Sequence, residues 1–399
     1  MKIEKNSRVR VRLLPKKLLT APAMAPHQTP MSDTITATIP RKKTRPVKIG
    51  DLTIGAGHEI PVQSMIKIPT ARWQEVVDEI KELEEAGCKI IRVTANDPEA
   101  ARALHKIKQK IAIPLVADIH FDYELALIAI ESGVDKVRLN PGNIRRRGKH
   151  LEDEGFDNEK EIEAVVSACK KANIPIRIGV NSGSLEKDIL KKHTYPTSDA
   201  LVESALRHIQ ILESFDFTDT IVALKSSQVW TTIEAYRKIS EKIDYPLHLG
   251  VTEAGGAMPG LVKSSIGIGT LLAEGIGDTL RVSLTGPAIE EVKAGNEILK
   301  SLGYRSFGVN LISCPTCGRL EADLLSIVQS LQEPLSKIAA PLNIAVMGCV
   351  VNGPGESKGA DIGVSLGKDH AILYVKGESR GQIPVEKVKD EILAAIREV

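Results

Sequence analysis

Aromatic residues are scarce, at 3% of 399, so any interior must be built from Ile, Val, Leu and Ala. Such a composition suits parallel strands packed beneath helices and excludes an aromatic-rich sandwich. No apolar run approaches the ~20 residues that a membrane-spanning helix requires, so no membrane role is expected. Cysteine is also sparse: five residues, an odd number in a chain with no recognisable export signal. That pattern argues against a disulfide framework and for a reducing, cytoplasmic compartment. Basic surplus is missing from the body of the chain. The net charge is +2, yet residues 1–48 alone carry +10, leaving the rest mildly acidic. A nucleic-acid binder would place that surplus on its folded part, so no nucleic-acid partner is expected.

The basic stretch, residues 1–46, is unpatterned and contains proline, and it is expected to be a disordered tail. Its Arg8 to Leu19 segment is too interrupted for a secretory signal, and the reading adopted is an extended start with Met31 as the true initiator. The remainder is long enough for two domains, and 42% hydrophobic content supplies both cores.

From Pro61 to Gly303 one pattern recurs: a short β-branched run, a polar or glycine break, then an amphipathic helix. There are eight such units. The strand candidates are Pro61 to Ile68, Lys89 to Ala95, Pro114 to His120, Lys136 to Pro141, Pro175 to Ser182, Ile221 to Ser227, Pro246 to Glu253 and Thr279 to Leu284. Helical patterns follow, as in Trp73 to Ala86, Glu161 to Ala172 and Ala288 to Leu302. Eight β/α units predict a closed (β/α)8 TIM barrel, assigned to residues 47–304. Residues 305–399 read as a small α+β domain: a cysteine turn at 314–317, a helix through Leu320 to Ile338, a strand Ile344 to Cys349, a glycine-rich loop, strands Ile362 to Leu366 and Ala371 to Val375, and a closing helix from Val385.

Barrel enzymes work at the C-terminal ends of their strands. There the sequence offers Arg92, Asp118, His120, Arg138, Asn140, Arg177, Asn181, Lys225, His248, Glu253, Arg281 and Ser283. Five of these are cations on five different strands. An unpaired buried cation costs several kcal/mol, so something anionic must meet them, and Arg is the usual grip for phosphate. One or two could instead pair with neighbouring carboxylates. His120 and His248 are candidate proton donors or orienting groups. Glu253 lies beside glycines that let a ligand approach closely.

In the second domain, Cys314-Pro-Thr-Cys317 with Cys349 and Glu356 supplies three thiolates and a carboxylate. Three soft ligands with one harder oxygen suit an iron-sulfur cluster, and spacing alone leaves a structural zinc site or a redox pair open. Glu356, on the turn Asn352-Gly-Pro-Gly, is the candidate fourth ligand. Cys88 and Cys169 sit in apolar helical surroundings and read as core thiols.

Strings along the chain then resemble one family, the 4-hydroxy-3-methylbut-2-enyl diphosphate synthases. They are Val62-Gln-Ser-Met65, Leu115-Val-Ala-Asp-Ile-His-Phe121, Arg138-Leu-Asn-Pro-Gly-Asn143, Arg177-Ile-Gly-Val-Asn-Ser-Gly183, His248-Leu-Gly-Val-Thr-Glu-Ala-Gly255, Gly277-Asp-Thr-Leu-Arg-Val-Ser283, Cys314-Pro-Thr-Cys317 and Gly348-Cys-Val-Val-Asn-Gly-Pro-Gly-Glu356. The resemblance runs from about Val47 to the C-terminus. It implies a bacterial-type two-domain enzyme that reductively opens and dehydrates a cyclic diphosphate of methylerythritol, on the route to isoprenoids. It further implies a [4Fe-4S] cluster on Cys314, Cys317, Cys349 and Glu356, and a homodimer in which the barrel of one subunit faces the cluster domain of the other. The diphosphate clamp would be Arg92, Arg138, Arg177, Lys225 and Arg281, helped by Asn140, Asn181 and Ser283, with Asp118, His120 and His248 nearby and Glu253 as proton donor. No dinucleotide or flavin motif is evident, so electrons would come from a flavodoxin or ferredoxin. One loop departs from the family pattern: after Met65, Ile66-Lys67-Ile68-Pro69-Thr70-Ala71-Arg72 replaces the usual Thr-Asn-Thr run. Two other classes stay in view, a non-redox phosphate-ester barrel enzyme with a structural zinc domain and an iron-responsive nucleic-acid regulator.

Overall fold

Proline opens several strands, where a missing N–H costs little, and glycine or a capped turn ends the helices between them. The computed structural model describes residues 40–144, 158–304 and 308–399. All eight expected strands are present: β1 Gln63–Met65, β2 Ile90–Thr94, β3 Leu115–Asp118, β4 Lys136–Arg138, β5 Ile176–Asn181, β6 Thr220–Lys225, β7 His248–Leu249 and β8 Thr279–Leu280. β1 to β6 form one parallel sheet, and β7 pairs in parallel with β8. Single bridges close the remaining seams, Val222 to Leu247 and Val62 to Leu280. The ring is the expected TIM barrel.

The helices around it are α1 Trp73–Glu85, α2 Pro98–Lys108, α3 Tyr123–Glu131, α4 Glu159–Ala172, α5 Lys187–His193, α6 Ser198–Ser214, α7 Val229–Ser240, α8 Ala257–Ala273 and α9 Ala288–Ser301. Local chemistry sets their ends. Asp97 caps α2 by accepting from the Ala100 N–H at 2.8 Å, with Pro98 next in line, and Asn173 ends α4 in the left-handed region.

Strand parity decides what the ring encloses. Ile91 and Val93, Val137 and Leu139, Ile176 and Ile178, Leu224, Leu280 and Val282 all join the core beneath the helices. Because side chains alternate across a strand, Arg92, Lys136, Arg138, Arg177, Lys225 and Arg281 face the barrel axis. The N-terminal mouth is closed by an antiparallel hairpin, Val47–Ile49 with Leu52–Ile54, whose apolar residues pack on Ile90, Val116 and Ile221. The expected tail up to residue 39 lies outside the described residues. Its last positions contact the barrel: Arg41 reaches Asp278 at 2.9 Å, Thr44 donates to the same oxygen at 3.0 Å, and Arg45 pairs with Asp244. These carboxylates extend the barrel upstream of the boundary expected at residue 47.

The C-terminal region is a five-stranded sheet in sequential order: β9 Asn310–Ser313, β10 Asn343–Met347, β11 Ile362–Leu366, β12 His370–Val375 and β13 Glu378–Pro384. The first three strands are parallel and the last two antiparallel. α10 Leu324–Ser336 and α12 Val388–Ala395 cover one face through Leu331, Leu335, Val388 and Ile392. Three elements were not expected, the first being β9, which precedes the cysteine turn. β13 is an exposed polar edge strand without apolar alternation. The stretch read as a glycine-rich loop is instead a short helix, α11 Gly353–Gly359, opened by Pro354. Gly353 serves close approach, since a Cβ there would run into Ser365 Oγ.

Candidate functional site

Six cations face the barrel axis, and the described residues supply two carboxylates against them. Asp118, at the end of β3, lies 3.2 Å from Arg138 and 3.7 Å from Arg92. Burial pushes the Asp118 carboxyl up, but Arg92, the contact from His120 and Arg138 together outweigh it and hold the group well below the usual carboxylate range. Glu291, on the inner face of α9, takes Arg281 bidentately, with Nε 3.2 Å from Oε2 and NH2 3.2 Å from Oε1. Arg281 is thus among the cations that pair with a neighbouring carboxylate; its remaining NH1 donates to Ser283 Oγ at 2.8 Å.

Arg177, Lys225 and Lys136 have no carboxylate within ion-pair reach among the described residues. Arg177 is 2% exposed, and its Nε and NH1 have no hydrogen-bond partner. Burial, then Arg92 and Arg138, holds its guanidinium well below the ordinary value. Burial, then Arg177, Arg92, Arg281 and Arg138, does the same to Lys225. Lys136, whose Nζ is 3.4 Å from Gln63 Oε1, is depressed by burial and by Arg177 and Arg92. A multivalent anion placed among these groups would offset the burial of several cations together.

Glycine makes room for two of these cations. A Cβ on Gly179 would fall 2.5 Å from Arg138 Nε, and one on Gly250 would fall 2.8 Å from Lys225 Nζ. Asn140 is committed to the same seam: its amide donates to Gly179 O at 3.1 Å and accepts from Gly179 N at 2.8 Å. It thus extends the β4–β5 ladder by a side chain.

Above the cations a cavity of about 240 Å³ opens to solvent, bounded among others by His120, Arg138, Asn140, Asn181, Ser184 and Glu253. Two of its lining residues, Phe121 and Glu253, hold left-handed backbone angles of 66° and 52° without being glycine. Such conformations cost energy and persist where the surroundings fix them, commonly at ligand sites. His120 is exposed and within 3.0 Å of Arg138 NH1. His248 is fully buried with both ring nitrogens unpartnered. Burial, then Lys225, Arg177, Lys136 and Arg92, holds it well below its ordinary value. For His248, expected as a proton donor or orienting group, depth beneath the cations sets it apart from the exposed His120.

Three interior residues escaped the sequence reading. Lys136 shares the alternation of Arg138, two positions on. Glu291 lies on the apolar stripe of α9 with Gly295 and Ile298. His208 lies on that of α6 with Ala205 and Leu212, and its Nδ1 accepts from the Gly142 N–H at 3.2 Å while Nε2 lies 3.0 Å from Glu186.

In the second domain Cys314 follows β9, Cys349 follows β10, and these strands are parallel neighbours, so both thiols leave the same end of the sheet. Cys317 lies on the turn beyond Cys314. Glu356 is exposed in the first turn of α11, not on a free turn as expected. The Gly348 N–H donates to Cys314 Sγ at 3.3 Å. By contrast Cys88 and Cys169 are fully buried, and burial pushes each thiol up to about 12. Among the described residues no three His, Cys, Asp or Glu side chains converge closely enough to share one metal ion. No helix among the described residues is long and apolar enough to cross a membrane.

Comparison with known proteins covers both regions. Residues 44–296 match the GcpE TIM-barrel domain and residues 310–398 match the GcpE protein C-terminal domain. The chain is similar to three proteins named 4-hydroxy-3-methylbut-2-en-1-yl diphosphate synthase (flavodoxin). That of Macrococcus caseolyticus is 54% identical, covering 88% of this chain and 92% of the relative. That of Clostridium perfringens is 53% identical over 90% and 99%, and that of Halalkalibacterium halodurans 53% over 90% and 95%.

Proposed function

The chain belongs to the GcpE family, and from that premise we propose that its barrel grips a diphosphate with buried cations while its C-terminal domain carries the redox centre. The reaction is the two-electron reductive ring opening and dehydration of 2-C-methyl-D-erythritol 2,4-cyclodiphosphate to 4-hydroxy-3-methylbut-2-enyl diphosphate, in the methylerythritol phosphate route to isoprenoids. The chain is an iron-sulfur oxidoreductase. One observation carries the substrate assignment: among the described residues six axial cations face two carboxylates, and Arg177 in particular is buried with no anionic partner.

Arg92, Arg138, Arg177 and Lys225 clamp the diphosphate, with Arg281 aimed by Glu291 and helped by Ser283. Asn181 lines the entrance, and Asn140 fixes the strand seam on which Arg138 lies. Asp118 orients Arg138 and His120. Their contribution is position and charge, both set before the ligand arrives. His248 stays neutral beneath the clamp, where a further positive charge would be repelled. Glu253, on its constrained loop at the cavity rim, hands a proton to the departing oxygen.

Cys314, Cys317, Cys349 and Glu356 would hold a [4Fe-4S] cluster. When bound, such a centre supplies electrons singly at low potential. Glu356 is the exchangeable ligand, since a carboxylate is harder than a thiolate. Electrons come from a reduced flavodoxin, as the relatives' names state for them, or from a ferredoxin. The working unit is a cytoplasmic homodimer.

Anaerobic purification with iron and sulfide analysis, followed by turnover of the cyclic diphosphate with reduced flavodoxin, tests this reading. Brown protein with stoichiometric sulfide and product formation is expected. Folded protein that assembles no sulfide centre, or binds zinc instead, would overturn it.

A further inference from the structure

The barrel seam between β1 and β8 is joined low down and held by side chains at its active end. Below, it has the Val62–Leu280 bridge, the Leu280 N–H on Pro61 O at 3.2 Å and the Thr279 hydroxyl on the same oxygen at 3.1 Å. Above, Lys67 crosses it. This lysine belongs to the loop after β1 that departs from the family pattern. Its Nζ donates to Leu284 O at 3.0 Å and to Gly286 O, and lies 3.1 Å from Glu291 Oε1. Three N–H groups thus meet three acceptors, which is the full capacity of an ammonium.

Each acceptor leads to the site. Glu291 is the carboxylate that fixes Arg281, and it also accepts from the Leu284 N–H at 3.0 Å and the Ser64 hydroxyl at 3.4 Å. Leu284 directly follows Ser283. Between the two clamped carbonyls, the Thr285 N–H donates to Gly255 O at 3.0 Å, tying the same loop to the segment that carries Glu253.

We propose that Lys67 is a positioning residue for the diphosphate reaction, a clasp that joins the first and last strands at the active end and so fixes Arg281, Ser283 and the Glu253 loop. This rests on reading the barrel as a diphosphate site. Without the clasp, Glu291 keeps Arg281 but loses its second cation, and the Leu284 and Gly286 carbonyls are released to water. Gly286 would then move freely, since nothing lies near its Cβ position.

The test is Lys67→Met in the full-length, cluster-loaded enzyme. Charge-assisted hydrogen bonds of this kind predict a rise of about tenfold in the Kd for inorganic pyrophosphate and in KM for the cyclic diphosphate, with kcat changing less. Lys67→Arg should restore most of both, and the visible iron-sulfur absorption should match the parent. Should Lys67→Met fail to fold, Lys67→Gln keeps donors for the carbonyls without the charge and should show a smaller rise in the same two constants. Unchanged pyrophosphate affinity and KM in a folded variant, or no rescue by arginine, would overturn the clasp. Because pyrophosphate binding needs no turnover, parent enzyme that binds it but leaves the cyclic diphosphate untouched would instead count against the proposed reaction alone.

Discussion

Arg281 and Glu291 meet as a buried fork, the two guanidinium nitrogens Nε and NH2 each 3.2 Å from a different carboxylate oxygen. The side chain of Glu291 is wholly buried, so its charge depends on that partner and on Lys67. Replacing Glu291 with Gln leaves Arg281 uncompensated, and a cost of about 3 kcal/mol or more in unfolding free energy is expected. Urea unfolding measures it. A double change to Arg281→Met and Glu291→Leu should recover stability while binding pyrophosphate weakly.

Arg177 predicts the opposite relation between stability and activity. Among the described residues it is a buried cation with no carboxylate partner, so Arg177→Met should raise the melting temperature of the ligand-free protein. The same change should cut kcat/KM by about a hundredfold or more, the equivalent of losing a charge-assisted clamp. A variant both less stable and fully active would contradict the site.

The buried lysines give the ligand-free protein a pH signature. Both Lys225 and Lys136 are held well below their ordinary value, first by burial and then by neighbouring cations. Between the folded and unfolded values the unfolded chain binds the extra protons, so stability rises with pH in that window. The penalty is full below the folded value and vanishes as pH climbs to the unfolded value of about 10.4. Calorimetric melting temperatures should therefore rise through the alkaline range, and Lys225→Met should flatten the rise.

His208 supports the loop that leads from Asn140. Its Nδ1 accepts the Gly142 N–H, and a Cβ on Gly142 would lie 2.9 Å from the ring. His208→Ala strands that N–H, for about 1–3 kcal/mol, and should raise KM more than it lowers kcat. Steady-state kinetics beside denaturant unfolding separate the two effects.

The cysteines divide by burial. Cys349→Ser should abolish iron and sulfide retention, whereas Cys88→Ala and Cys169→Ala should retain both and lose only packing, about 1 kcal/mol each. Iron and sulfide analysis of anaerobically prepared variants decides this.

The sequence by itself determined the barrel, the order of its strands and the direction of its charges. Runs such as Ile90-Ile-Arg-Val and Lys136-Val-Arg-Leu fix which face is apolar, and period-two alternation then sends every intervening cation to the axis. It also marked the cysteines, because thiols three positions apart in a turn and a third after an apolar strand form a local pattern. What only the tertiary structure decided is which of those charges are already answered. Glu291, Lys67 and Gly286 lie far apart in the chain or on different elements, and their meeting at one seam leaves no local trace. The same holds for the depth of His248, and for α11, whose Gly353 looks like part of a loop until the neighbouring Ser365 shows why it must be small. Pattern along a chain sets which way a side chain faces; partner and depth follow from how the ring closes.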